Sequence, residues 1–176
     1  MTNTTTSGLS FDALESAYSD DLIENGAWLH FVGPDGEPLY LTVGEGDKAK
    51  RVPVRARVRS MLSVKYDAHM DRLQTGASSR ARKLKGEEQR RKLLLKEMKE
   101  NQPKAFAALV SELENISRAA LGTVSPPESD LLHFALQPKN KVWVDQVLEF
   151  AAENANFGAD AEGNTPGNAE GADAAD

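Results

Sequence analysis

The sequence predicts an α+β fold: a small antiparallel β-hairpin or three-stranded sheet at the N-terminus followed by four or five helices, with disordered acidic termini. Three observations carry this. Aromatic and β-branched runs flank a Pro-Asp-Gly turn within residues 27–43. From Ser60 onward the apolar period changes from two to between three and four. Large apolar side chains are scarce in residues 1–24 and 158–176, so these ends bury too little surface to offset the entropy of ordering them.

The first strand is Ala27-Trp28-Leu29-His30-Phe31-Val32 and the second Leu39-Tyr40-Leu41-Thr42-Val43, joined by Gly33-Pro34-Asp35-Gly36-Glu37-Pro38. Proline presets φ and glycine tolerates positive φ, so the two runs read as one hairpin. Leu29 and Phe31 share a face with Leu39 and Leu41, although composition does not fix the register. A third strand over 52–58 alternates arginine with small apolar residues. Pro53 removes a backbone donor near its start and places it at a sheet edge. Its four arginines (Arg51, Arg55, Arg57, Arg59) read either as edge protection, the simpler account, or as an anion-binding surface.

Ser60 or Ser63 can cap a helix near 61–75 that carries Met61, Leu62, Val64, Tyr66, Met70 and Leu73 and ends at Gly76. A long charged helix follows near 79–101, with a thin stripe of Leu84, Leu93, Leu94, Leu95 and Met98 and a point of interruption at Gly86. Pro103 opens another helix near 104–121, where Phe106, Leu109, Val110, Leu113, Ile116 and Leu121 form a core stripe. Helices near 128–136 and 141–156 complete a single domain over 23–157. Residues 1–22 are then a disordered or weakly helical acidic arm, and 158–176 a low-complexity acidic tail.

The 176 residues carry a net charge of −6, but the signs are segregated. Residues 48–104 hold 18 of the 21 Lys and Arg against six acids, whereas 1–24 and 158–176 carry five acids each and no base. Such asymmetry suits an acidic or polyanionic partner for the middle, or tails that fold back over it. The chain has no cysteine, which excludes disulfides and thiolate metal sites. It has neither the basic-then-apolar start of a secretory signal nor a stretch near the roughly 18 apolar residues of a membrane span. A cytoplasmic location is the expectation.

No catalytic constellation stands out. His30, His69 and His133 lack metal-ligand spacing, Gly33–Gly36 is explained as a turn, and Gly44-Glu45-Gly46-Asp47 is acidic where a phosphate loop needs donors. There is no Gly-x-Ser-x-Gly elbow. The expectation is a binding protein, not an enzyme, with no cofactor and no metal. Candidate polyanion contacts are Arg80, Arg82, Lys83, Lys85, Arg90 and Arg91. The same run lacks stacking aromatics and is broken by Glu87, Glu88, Glu97 and Glu100, which suits a solvated helix face. Candidate partner contacts are Leu93, Leu94 and Met98 on the charged helix and Trp143, Phe150 and Phe157 near the C-terminus; each also has a core explanation.

Two segments together resemble a known family. Glu24-Asn25-Gly26-Ala27-Trp28-Leu29 followed by Gly33-Pro34-Asp35-Gly36-Glu37-Pro38-Leu39, and Trp143-Val144-Asp145-Gln146-Val147-Leu148-Glu149-Phe150 followed by Asn154-Ala155-Asn156-Phe157, resemble the two ends of tail assembly chaperones of long-tailed phages and prophages. The resemblance covers about a quarter of the chain and leaves the basic middle unplaced. It implies a non-enzymatic factor in the host cytoplasm that binds the long helical tape-measure protein, assists polymerisation of tail-tube subunits, and is absent from the mature virion. The competing expectations are a minor structural tail or connector subunit and a basic-helix nucleic-acid-binding protein.

Overall fold

The computed structural model describes residues 17–84, 86–117, 119–159 and 161. Residues 1–16 and 162–176, which make up most of the expected acidic arms, lie outside the described residues, as do Lys85 and the side chain of Met98. The chain runs α1 (Asp20–Asn25), β1 (Ala27–His30), β2 (Tyr40–Val43), β3 (Lys50–Pro53), β4 (Arg55–Val58), α2 (Val64–Arg82), α3 (Glu87–Leu109), β5 (Val110–Glu114), β6 (Thr123–Val124), α4 (Glu128–Ala135) and α5 (Lys141–Ala152). Short 3-10 turns at Gly46–Lys48, Pro138–Asn140 and Asn154–Phe157 complete it. Among the described residues the class is α+β, with antiparallel strands and five helices, the class that the two periodicities predict.

The pairing differs from the predicted hairpin. A four-stranded sheet has the order β1-β4-β5-β6, and β2 pairs only with β3 in a separate two-stranded sheet. The Pro-Asp-Gly turn does reverse the chain, yet across it β1 and β2 share no ladder beyond the Val32–Pro38 bridge and the Leu39 N–H donating to Phe31 O at 2.7 Å. The predicted third strand breaks at Val54. Its N–H donates to Leu39 O at 2.9 Å and its carbonyl accepts from Phe31 N–H at 3.1 Å. Three chain segments therefore share one corner, and β3 and β4 go to different sheets.

Strand β4 is interior, so the edge assignment drawn from Pro53 is corrected for residues 55–58. The reason is β5, which sequence periodicity places inside a helix over 104–121. Helix α3 stops at Leu109, and Val110–Glu114 enters the sheet with Arg55 opposite Glu114 and Arg57 opposite Glu112. Arg55 Nε reaches Glu114 Oε2 at 2.6 Å, and the Arg55 guanidinium also lies 5.1 Å from the Trp28 ring centroid. Cross-strand pairs of opposite charge favour this neighbour over an open edge, so these arginines serve sheet pairing, not edge protection. The strand ends at Asn115, held at φ 53° by its own amide: Nδ2 donates to Pro53 O and Oδ1 accepts from Gly122 N–H.

Two more boundaries move. Helix α2 is capped by Ser63, whose Oγ accepts from Tyr66 N–H at 3.3 Å, and it continues through Gly76 to Arg82. Helix α3 begins after Gly86 and runs through Pro103, which was expected to start a new helix. In both cases packing of one helix along the other outweighs the local breaker, since a single Gly or Pro weakens a helix by only about 1–3 kcal/mol. At its other end the final helix stops at Ala152, short of the predicted Asn156, and gives way to a 3-10 turn.

The core lies between the sheet and the C-terminal half of α3, α4 and α5. Ala56 and Val58 of β4 pack with Phe106, Leu109, Leu131, Val144, Val147 and Ala151. Phe31 meets Trp143 edge-on at 5.6 Å, and Gln146 clasps the strand edge, its amide both accepting from Val32 N–H and donating to Val32 O at 2.9 Å. The two ends of the described chain join: Ser19 N–H donates to Phe157 O, and Ala159 N–H to Ala17 O.

Candidate interaction surface

Away from that core, α2 and the first half of α3 form an antiparallel helical arm. Helix α2 has 19 residues, so it extends about 28 Å. Its main packing partner is α3, through the buried small residues Ala77 and Ala81, which let the two backbones approach closely. Arg80 fastens the pair: Nε and Nη2 reach the two carboxylate oxygens of Glu97, each at 2.8 Å.

Of the predicted cations, Arg80, Arg82 and Lys83 close α2, and Arg90 and Arg91 open α3, so the fold gathers them at the tip of the arm. Arg80 is spent on Glu97 and Arg90 donates to Leu84 O at 2.8 Å. Arg82, Lys83 and Arg91 are exposed and have no carboxylate within 4 Å among the described residues. Glu87 and Glu88 stand in the same turn, so the tip is a mixed-charge surface, and Arg82 near the end of α2 also complements that helix's dipole.

The predicted apolar contacts divide. Phe157 is only 1% exposed and packs edge-on against Phe150, so it belongs to the core and is no contact surface. Trp143 and Phe150 are half-buried, and Leu93 is half-buried. Leu94 and its neighbour Leu95 are 42% and 50% exposed. They border a groove of about 620 Å³ at the foot of the arm, whose walls include Tyr66, Met70, Ala77 and Leu148. Sequence reading found Leu94 but missed the rest of this groove, because Leu148 comes from α5 and only tertiary packing brings it beside α2. A second apolar cavity of about 470 Å³ lies among Phe31, Leu39, Val54, Ile116, Phe134 and Trp143 at the corner where the sheets diverge.

Burial holds the Tyr66 phenol above its ordinary value at the groove wall. His30 is structural: its ring nitrogen lies 2.9 Å from Leu39 O and its ring meets Tyr40 edge-on. Among the described residues no group of three or more His, Asp or Glu side chains could hold a metal, and no helix is long and apolar enough to cross a membrane. Comparison of the chain with protein-family models, curated proteins and solved structures finds no match.

Proposed function

We propose that this protein is a non-enzymatic assembly chaperone that holds a long amphipathic helical protein in soluble form, the tape-measure protein of a phage tail, and assists tail-tube assembly around it. The observation that carries the reading is the groove at the foot of the arm. Two adjacent leucines, 42% and 50% exposed, stand on the charged half of α3 beside a groove whose apolar wall includes Tyr66, Met70 and Leu148. Helix-in-groove recognition needs such a trough, with apolar anchors at helical spacing on the ligand. Mixed charges around it keep the free protein soluble and leave the partner's polar face in water. The tape-measure and tail-tube partners themselves come from the resemblance of the two terminal segments, as does action in the host cytoplasm.

The test is co-expression of the tape-measure protein with the wild-type chain and with a Leu94→Glu/Leu95→Glu variant. The wild type is expected to carry the partner into the soluble fraction and the variant to lose it, with circular dichroism unchanged. Equal rescue by both forms would remove the groove from the account, and absence of rescue by either would remove the chaperone reading. Mass spectrometry of purified particles separates the chaperone from a structural tail subunit, which would be present in stoichiometric amount.

A further inference from the structure

We propose that the cleft between the base of α2, the end of α3 and the start of α4 is a binding site for a single carboxylate group, held by Arg59, Lys65 and His69. The cleft is small, about 310 Å³, and polar; Arg59, Lys65, His69, Ser111 and Glu128 all line it. It is separate from the groove beside Leu94 and shares no residue with it.

Arg59 is fixed in place. Its Nε donates to Glu24 O and its Nη1 to Ala108 O, each at 3.1 Å, while Nη2 has no partner among the described residues. A guanidinium anchored by backbone carbonyls on one side presents its remaining donors without further loss of side-chain freedom. Burial lowers its pKa, and the neighbouring Glu24 carboxylate offsets part of that effect. Lys65 and His69 lie one helical turn apart on α2, so their side chains emerge on the same face. Among the described residues Lys65 has no carboxylate within 4 Å and the buried Nε2 of His69 has no hydrogen-bond partner. An unmatched buried ring nitrogen is disfavoured, which points to a polar group completing the cleft.

The charge of the lining selects the ligand. Arg59 and Lys65 are the cations of the lining and Glu128 its anion, and the carboxylates of Glu24 and Glu112 also act on Arg59, so the cleft holds little excess positive charge. That balance matches one carboxylate and disfavours a phosphate dianion, which would face Glu128 without enough cations. A carboxylate is also the group that an acidic side chain or a chain terminus of a protein partner presents, so the site would add a polar anchor to whatever the arm holds.

The experiment uses the full chain and NMR of the imidazole and ammonium groups at pH 7, with titrations of acetate, inorganic phosphate and sodium chloride at matched ionic strength. Two short peptides distinguish the source: one with blocked ends and an internal glutamate, the other with glutamine there and a free C-terminus. Acetate is expected to shift His69 and Lys65 saturably, with half-saturation of the order of 1–10 mM, as two or three charge-assisted hydrogen bonds would give. Lys65→Gln, at an exposed position, and His69→Ala, at a half-buried position outside the core cluster, should each weaken this at least about fivefold. A response equal to that of chloride, unchanged affinity in both variants, or tighter binding of phosphate than of acetate would overturn the assignment. None of these results depends on the tape-measure reading, which fails or stands on the Leu94 and Leu95 variant.

Discussion

Replacing Gly26 with alanine should cost far more than the same change at Gly36, although both glycines sit in turns at positive φ. Gly26 follows α1 at φ 100° and ψ 153°, a region open almost only to glycine. An added Cβ there would lie 2.8 Å from both the carbonyl carbon and oxygen of Val58, in the backbone of β4. Gly36, at φ 82°, has nothing within 4 Å of such a Cβ. Backbone strain alone is about 1–2 kcal/mol at Gly36. At Gly26 strain of about 1–3 kcal/mol adds to about 1–3 kcal/mol for displacing a packed strand, about 2–6 kcal/mol together. That is a large share of the 5–15 kcal/mol typical of a domain, and it should lower the urea midpoint by roughly 2 M. Equilibrium urea unfolding followed by Trp28 and Trp143 fluorescence reads both variants against the wild type. If Gly26→Ala falls within about 1 kcal/mol of Gly36→Ala, the close approach of α1 to β4 is not the constraint argued here.

Other perturbations probe different parts of the molecule. Gln146→Ala removes both partners of Val32's backbone groups and should destabilise by about 1–3 kcal/mol, whereas Arg80→Ala, whose side chain is 57% exposed, should change stability by no more than about 1 kcal/mol; thermal unfolding ranks the two. Phe106→Ala empties a position that is 1% exposed and should lose about 3–5 kcal/mol by chemical denaturation. Tyr66 is held above its ordinary pKa by burial, so its contribution is fully present below the unfolded value and is lost as pH rises through the folded one. Tyr66→Phe should therefore lose less stability than the wild type on going from neutral pH to above about pH 10, measured by urea unfolding at each pH.

The fold class was legible because periodicity is local: residues 27–32 and 39–43 read as strands and the stretch near 141–156 as a helix, and strands Ala27–His30 and Tyr40–Val43 and helix Lys141–Ala152 stand there. Cap chemistry was readable as Ser60 or Ser63, and the structure selects Ser63, whose hydroxyl starts α2. What failed did so where two local signals competed. Val110 and Leu113 continue the stripe of Phe106 and Leu109 at helical spacing, and they fit a strand only because the register shifts between Arg57 and Val58, with the arginines of β4 opposite Glu112 and Glu114. The tertiary structure likewise turned Pro53 from a mark of the whole third strand into a mark of β3 alone.

The candidate surfaces follow the same division. Sequence alone determined that the middle of the chain is basic, that its charged helix carries a run of leucines open to either a core or a contact role, and that no thiol chemistry is available. It did not determine that Leu148 from the last helix lines one groove with Leu94, or that Arg59, just after β4, lines one cleft with Lys65 and His69 from a helix. Those meetings depend on contacts between residues far apart in the chain, whose closure entropy is offset only when the whole core forms, so no local pattern records them.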